Sequence, residues 1–379
     1  MEENKKGRIW YGVFLVICCT LCAVIGGVLA QPKHITNTIG VITSDTISGS
    51  MTGGGVQPTV YESVANTVVE ISNTSSAGAS SGSGVMFAVD TNEDESQNKY
   101  TYIITNHHVI ESATKLIVRL RDGSEYTAKL VGSDSKTDIA VIKIEKLGLS
   151  IATIGDSSLL KVGDVAIAVG NPLGSLGGTV TQGIISALDR DITIDGLDMT
   201  LIQTDAAVSP GNSGGGLFSA DGKLIGVVNA KSSGTGVEGI GFAIPTKKAM
   251  TIAEQLMTTC TSSNFGYVPG RFVLGLTIVQ FSEIEAALYG GDVAGVYIYQ
   301  KVAGGDAEKS ELVVGDRIVS LDGTAISTME EAKQVLDNVK VGDVLTFVVS
   351  RYNTMSQKYE EKTVEITITQ HIYSLELQD

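Results

Sequence analysis

A mostly β protein is what this sequence predicts, from three observations. Between residues 59 and 245 short β-branched runs recur at close spacing, each bounded by turn residues, as in antiparallel barrels or a sandwich rather than alternating βαβ units. Glycine is abundant at 44 and proline scarce at 6, which suits a turn-rich β chain. Hydrophobic residues make up 43% of the 379, so at roughly 150 residues per domain the chain has room for two or three real cores, and disorder can only be local. The charge, 27 basic against 42 acidic residues for a net −15, lacks the basic face with which a protein displaces counterions from a polyanion. Nucleic acid is thereby excluded as a partner class.

The first element is a membrane segment. Residues 9–30, IWYGVFLVICCTLCAVIGGVLA, carry no charge, and at about 1.5 Å per helical residue this run spans the ~30 Å hydrocarbon layer. Lys5, Lys6 and Arg8 precede it and Trp10 and Tyr11 stand at its start. Residues 1–8 are therefore expected in the cytoplasm and everything after Ala30 outside. A cleaved signal peptide ending at Val28-Leu29-Ala30 is the alternative, but the apolar run exceeds the usual signal core and favours an uncleaved single-pass anchor in the cell membrane. Residues 31–58, rich in Thr, Ser and Gly without a sustained period, read as a flexible linker.

The β-rich region follows, with strands expected at 67–71, 84–88, 100–105, 116–120, 126–131, 139–144, 165–169, 179–187, 201–204, 224–229 and 241–244. Asp122-Gly123 and Asp221-Gly222 sit between such runs as hairpin turns. After Pro245 a helix over 246–257 closes the region. Three of the four cysteines, Cys18, Cys19 and Cys22, fall in the membrane run, leaving Cys260 alone outside it. Neither a disulfide framework nor a paired zinc pattern is possible. The acidic stretch Asn92–Ser96 reads as a solvated loop tip. Asp189–Gly196 lacks both the spacing and the distal Glu of a calcium loop, so it reads as a charged loop and no metal is expected.

Histidine is the usual general base near neutral pH, and the chain has only His34, His107, His108 and His371. His107-His108 follow the apolar run Tyr102-Ile103-Ile104. Successive strand side chains point to opposite faces, so at most one of the pair faces a given cleft. Downstream, Asp138 stands at the mouth of the apolar run 139–144, and Ser213 lies in the glycine-flanked loop Pro210-Gly211-Asn212-Ser213-Gly214-Gly215-Gly216. Glycines let successive backbone N–H groups converge on one point, which an oxyanion hole requires. The order His, Asp, Ser within a β-rich region of about 200 residues points to a chymotrypsin-like triad. Gly211-Asn212-Ser213-Gly214-Gly215 also satisfies G-x-S-x-G, but that nucleophile elbow needs a helix next and the order Ser, Asp, His. Here a strand follows and only His371 would remain as base.

At these residues the sequence resembles the HtrA (Deg) family of trypsin-like serine proteases, over nearly all of residues 60–370. The motifs that carry the resemblance are Thr105-Asn106-His107-His108-Val109, Thr137-Asp138-Ile139-Ala140-Val141, Gly170-Asn171-Pro172-Leu173-Gly174 and the run from Gln203 to Gly215. Gly216 stands where the family usually has proline. The resemblance implies a chymotrypsin-like double β-barrel over 59–262, and selects His108 as base, with Asp138 orienting it and Ser213 as nucleophile. It implies an oxyanion loop of Gly211, Asn212 and Ser213, with the N–H groups of Gly211 and Ser213 as donors. The specificity pocket would be formed by the loop before Ser213 and by Gly239–Ala243, with Ile240, Gly241 and Phe242 in its wall. No acidic residue stands at these positions, so cleavage after small or medium aliphatic residues is expected. No cofactor is implied. A homotrimer with contacts near Tyr61 and a regulatory role for 189–196 are further implications.

From about 265 the pattern becomes mixed α/β. Ser327-Thr328-Met329-Glu330 is expected to open a helix over 328–338 whose Met329, Ala332, Val335, Leu336 and Val339 line a core face. Gly315-Asp316-Arg317-Ile318-Val319-Ser320-Leu321-Asp322-Gly323 resembles the signature of a PDZ domain, here over 263–372 with a tail at 373–379. Such domains add a peptide strand to a sheet edge and hold its terminal carboxylate with backbone N–H groups, at a loop matching Leu274, Gly275 and Leu276. The function implied is a serine endopeptidase acting on misfolded or exported proteins outside the cytoplasmic membrane, its PDZ domain binding C-terminal peptides. The alternative is a peptide-binding holdase chaperone with incidental proteolysis.

Overall fold

The computed structural model describes residues 58–76, 78–90, 99–171, 178–194, 197–209, 211–230, 239–288 and 293–377. The membrane run at 9–30, the linker up to residue 57, the loop at 92–96, Pro172-Leu173-Gly174, Asp195-Gly196 and Pro210 lie outside them, while Pro58, expected to end the linker, opens a helix. Among the described residues no helix is long and apolar enough to cross a membrane. Two compact units are present. One comprises Leu274–Leu336 and Leu345–Ile366; the other comprises the described residues up to 273, Asp337–Val344 and the residues from Thr367 on.

The larger unit holds two closed six-stranded barrels, as expected of a chymotrypsin-like fold. Helix α1 (Pro58–Ala65) precedes the first barrel. That barrel is built from β1 (Val68–Ser75), β2 (Gly78–Val89), β3 (Thr101–Thr105), β4 (Lys115–Arg119), β5 (Glu125–Asp134) and β6 (Ile139–Ile144), closed in the order β1-β2-β3-β6-β5-β4. Closure removes the free edges that an open sheet of such apolar strands would expose. Ile71, Met86, Ile103, Leu116, Ile142 and Ile144 fill its interior. Gly123 adopts φ +84 between β4 and β5, as the Asp-Gly turn requires.

The second barrel comprises β7 (Val165–Gly170), β8 (Thr179–Ile194), β9 (Leu197–Thr204), β10 (Gly216–Phe218), β11 (Leu224–Val228) and β12 (Gly241–Pro245). Its Asp221-Gly222 turn joins β10 to β11 with Gly222 at φ +76. Asp189–Gly196 was expected as a charged loop. Instead β8 runs on through Ile194, paired to β9, because Thr200 Oγ1 donates to Asp191 (2.8 Å) and Thr193 Oγ1 to Asp198 (2.7 Å) across the ladder. Asp189, at φ +51, sits where the register shifts. Between the barrels a shared core joins Val85, Ile104 and Val141 to Val169, Phe218 and Val227. Two helices finish the unit: α2 (His107–Ile110), and α3 (Thr246–Thr259), which buries Ala249, Ile252, Ala253 and Leu256. Cys260 follows α3 as a half-buried free thiol.

The smaller unit is one sheet in the order β13 (Leu276–Phe281), β14 (Gly295–Lys301), β15 (Arg317–Leu321), β17 (Val344–Asn353), β18 (Lys358–Thr367), with β16 (Thr324–Ala325) paired to β15. Helix α4 (Glu283–Leu288) follows β13, and α5 (Met329–Leu336) precedes β17. The capping box lies one residue later than expected: Glu331 accepts from Thr328 N (3.0 Å) and Ser327 N (2.7 Å), while Thr328 Oγ1 accepts from Glu331 N (3.3 Å). Ala332 and Leu336 are buried, as a core face demands, while Met329 and Val335 are half-buried; Val339, buried too, lies beyond the helix in the stretch Asp337–Val344 that belongs to the larger unit. The signature aspartate, Asp316, is 1% exposed and is held by Arg351 Nε and Nη2, both at 2.6 Å.

Candidate active site

The chemistry-bearing motifs converge where the barrels meet. Asp138 ends the turn before β6 with φ +54, a left-handed conformation an aspartate tolerates better than most residues. Asp134 holds that turn, accepting from Thr137 N (3.2 Å) and Thr137 Oγ1 (2.6 Å). The carbonyl of Asp138 then accepts from Asn106 Nδ2 (3.0 Å) and His107 N (3.2 Å), which bends the chain out of β3 into α2. The two histidines therefore do not alternate across a strand end. They follow one another around a helical turn, at 3.6 residues per turn, and still diverge. His107, buried, places Nδ1 2.8 Å from Ser133 Oγ, and burial holds its pKa below the ordinary histidine value against the pull of Asp138, Glu111 and Asp134.

His108 turns the other way. Its backbone N–H donates to Asp138 Oδ1 at 3.0 Å and its ring Nδ1 lies 2.8 Å from Asp138 Oδ2. Because a carboxylate only accepts, Nδ1 carries a proton, so in the neutral imidazole Nε2 is the nitrogen with the lone pair. Asn229, at the end of β11, donates a further hydrogen bond from Nδ2 to Asp138 Oδ2 (3.0 Å). The carboxylate, 10% exposed, is thus gripped from both barrels, while the imidazole remains 18% exposed.

Ser213 lies in the tight loop between β9 and β10, and a strand, not a helix, follows it, so the nucleophile-elbow reading is excluded structurally as well. Gly211 and Gly214 adopt φ +97 and +80, and a side chain on Gly214 would strike Ser83 O and Thr105 Oγ1. The loop is pinned by Ser213 O accepting from Ser83 N (2.8 Å), Gly214 N donating to Val228 O (2.9 Å) and Gly215 N to Asn212 O (2.9 Å). Asn212 is not an available oxyanion donor, because its N–H is taken by Ser209 O (3.0 Å). Its side chain is instead wholly buried against Gly170. The N–H groups of Gly211 and Ser213, by contrast, meet no acceptor among the described residues. Ser213 Oγ accepts from Ala230 N (3.3 Å) and makes no hydrogen bond to His108. Catalytic contacts of this kind are often long without substrate and tighten when it binds.

Sequence reasoning passed over two residues that tie the site together. Ser83, wholly buried, donates from Oγ to Gly211 O (2.7 Å) and accepts from Asn171 N (2.8 Å), while its carbonyl accepts from Thr105 Oγ1 (2.7 Å). The other is Asn229, a polar residue closing the wholly apolar strand β11. That contrast was the available signal, as was Ser83 within Ser81-Gly82-Ser83-Gly84.

Among the residues expected to line a specificity pocket, Ile240 is 37% exposed, Phe242 is 9% exposed, and Gly241 lies so close to Val208 and Ala206 O that a Cβ would touch both. In the smaller unit Leu274 and Leu276 bury their side chains, and Gly275, at φ +71, packs backbone to backbone against Gly305. Among the described residues β13 pairs only with β14, and no strand covers its other edge. Gln280 Oε1 accepts from Met329 N (3.0 Å), holding the start of α5 beside that strand.

Comparison with known proteins agrees with both units. Residues 82–227 match the trypsin-like peptidase domain family and residues 273–368 the PDZ domain family. The chain is 40% identical over 307 residues to the serine protease Do-like HtrB of Bacillus subtilis, covering 77% of this chain and 63% of that protein. It is 40% identical over 245 residues to the periplasmic pH-dependent serine endoprotease DegQ of Escherichia coli, covering 64% of this chain and 52% of that protein. Against these two it therefore spans less than two thirds of their length. With the serine protease Do-like HtrA of Lactobacillus helveticus it shares 35% identity over 337 residues, 80% of each chain. A solved variant of the HtrA-type protease AlgW with a tripeptide superimposes with a TM-score of 0.50 at 34% identity, covering 82% of this chain and 97% of that one. With two barrels, a PDZ sheet and relatives of this kind, the chain belongs to the HtrA family of trypsin-like serine proteases, with one C-terminal PDZ domain.

Proposed function

We propose that this protein is an extracytoplasmic serine endopeptidase that hydrolyses peptide bonds in misfolded or exported polypeptides, tethered to the membrane through residues 9–30. The observation that carries the reading is the Asp138 carboxylate, whose Oδ2 lies 2.8 Å from His108 Nδ1 and so reserves Nε2 for the role of general base. Ser213 Oγ attacks the scissile carbonyl carbon while His108 Nε2 takes its proton. The oxyanion that forms is stabilised by the N–H groups of Gly211 and Ser213. Collapse breaks the C–N bond, and the imidazolium returns the proton to the leaving amine. Water then hydrolyses the acyl-enzyme by the same route in reverse. Losing one oxyanion donor costs about 3 kcal/mol of transition-state stabilisation in comparable enzymes.

The wall formed by Val208, Ile240, Gly241 and Phe242 is apolar, so Val, Ala or Ile is preferred before the scissile bond. The open edge of β13, with Leu274-Gly275-Leu276 at its start, takes up C-terminal peptides as an added strand. Casein and fluorogenic peptides ending in Val, Ala or Arg before the scissile bond test the proposal on the full chain beside Ser213→Ala. Hydrolysis lost in the variant and faster for the aliphatic peptides is expected. Equal turnover by both proteins would overturn the triad, and a preference for Arg would overturn the pocket.

A further inference from the structure

The helix that carries His108 is only four residues long, His107–Ile110, far too short to hold its own geometry. On its inner side it is tied down by Asn106 and Asp138, and Asn73 Nδ2 donates to Val109 O (3.0 Å) and Glu111 O (3.1 Å). Beyond it Ser112 turns into the left-handed region at φ +57, unusual for a serine. What meets the outer side comes from the far end of the chain. The ring of Tyr373 stands edge-on to His107, with centroids 4.6 Å apart and planes at 78°. Its hydroxyl accepts from Ser112 N at 3.1 Å. Leu375, 9% exposed, enters the same apolar cluster as Val109, Ile110 and Ala113, and Leu377 packs against that cluster.

This segment is anchored before it reaches the helix. Gln370 donates from Nε2 to Val268 O and Arg271 O (3.0 Å each) and accepts from Gly270 N (2.9 Å), and His371 N donates to Arg271 O (2.8 Å). It is therefore held at Gln370 and again at Leu375, with Tyr373 between. Tyr373 touches the residue immediately before His108 and the residue four after it. That pair of contacts resists tilting of the short helix, and a tilt of a few tenths of an ångström would lengthen the His108–Asp138 hydrogen bond.

We propose that the segment Gln370–Leu377, which follows the last strand of the PDZ sheet, is a strap belonging to the protease, and that Tyr373 is a positioning residue that holds His108 on Asp138. The proposal rests on the reading of His108 as the general base. It puts into the protease a piece of chain that sequence organisation assigns to the end of the PDZ domain and its tail.

The test uses the full chain with Tyr373→Ala, Tyr373→Phe and a chain ending at His371, each measured for kcat and KM on an aliphatic fluorogenic peptide. Intact sites are counted by fluorophosphonate labelling of Ser213. In the Ser213→Ala background the low-field proton resonance of His108 Nδ1–H is followed by NMR. Misplacement of a catalytic group by an ångström can cost about a hundredfold. Tyr373→Ala and the shortened chain should accordingly lose about tenfold or more in kcat per intact site, with KM within about twofold and a weakened Nδ1–H signal. Tyr373→Phe keeps the edge contact with His107 and loses only the Ser112 hydrogen bond, so it should fall in between. Wild-type kcat per intact site with an unchanged resonance in Tyr373→Ala would overturn the strap, as would a loss accounted for entirely by fewer intact sites. If the parent chain shows no Ser213-dependent hydrolysis, the proposed function fails, yet the resonance of His108 in the Tyr373 variants still decides for or against the strap.

Discussion

Ser83→Ala isolates the contribution of a side chain that touches neither substrate nor triad. The hydroxyl is wholly buried, donates to Gly211 O at 2.7 Å and accepts from Asn171 N at 2.8 Å. Its removal leaves a half-buried carbonyl and a buried amide without partners, each costing up to about 1–3 kcal/mol. Partial relaxation brings the pair to about 3 kcal/mol, which for a unit of this size lowers the melting temperature by about 6–12 °C. The catalytic effect has a separate origin. With Gly211 O unpinned, the neighbouring peptide planes are free to rotate and the Gly211 N–H no longer points reliably at the oxyanion. Outright loss of one such donor costs about 10²–10³ in kcat, and a displaced donor should cost less, about ten- to a hundredfold. Calorimetry reads the first effect and peptide hydrolysis at 25 °C the second. A peptide boronate, which mimics the tetrahedral oxyanion, should lose affinity in proportion to kcat while KM stays near that of the parent. Ser83→Ala with kcat within twofold of the parent would refute the reasoning, whatever happens to the melting temperature.

Two further outcomes follow from the same geometry. Asn229→Ala removes the donor that reaches Asp138 from the second barrel (3.0 Å); kcat should fall about ten- to a hundredfold, as expected for a hydrogen bond to a charged group worth about 1.5–3 kcal/mol, and an unchanged kcat would show that His108 alone orients the carboxylate. His107 is kept below its ordinary pKa by burial, so the unfolded chain binds the proton more readily. The stability this confers is fully present above the unfolded value of about 6.5 and is lost as pH falls from there through the folded pKa, by at most about 1.4 kcal/mol per pH unit. Melting temperatures between pH 7.5 and 5 should show that decline, and His107→Gln should flatten it.

What could be read from the sequence was whatever depends on local backbone chemistry. The turns at Asp122-Gly123 and Asp221-Gly222 were legible because each needs a left-handed glycine, and both glycines have one. The helix after Pro245 was legible from its apolar spacing, and runs only two residues further than expected. The order His, Asp, Ser identified the motifs that meet at the site. Less visible was anything decided by a distant partner. Whether His107 or His108 faces the cleft could not be derived from strand alternation, since Asp138, some 30 residues on, bends that strand end into a helix. Asp189–Ile194 looked like a loop because Asp191 and Thr193 find their partners, Thr200 and Asp198, only on β9. Ser83 is an ordinary member of a Ser-Gly run until Gly211, 128 residues away, lies against it, and Asn229 meets Asp138 across 91 residues.

The last two of these contacts share a direction: they cross from one barrel to the other. Asp138 belongs to the first barrel and is gripped by Asn229 from the second; Gly211 belongs to the second and is pinned by Ser83 from the first. The apolar core beneath them is likewise joint, with Val85, Ile104 and Val141 packed among Val169, Phe218 and Val227. On the proposed assignment neither barrel holds a working site by itself, since His108 and Asp138 come from one and Ser213 and Gly211 from the other. The geometry that chemistry needs is therefore set by how well the two barrels pack. A cavity in the joint core, although it touches no catalytic atom, lets the barrels shift and separates the two halves of the site. Core substitutions there should cost activity before they cost fold, whereas substitutions inside one barrel should lower both together.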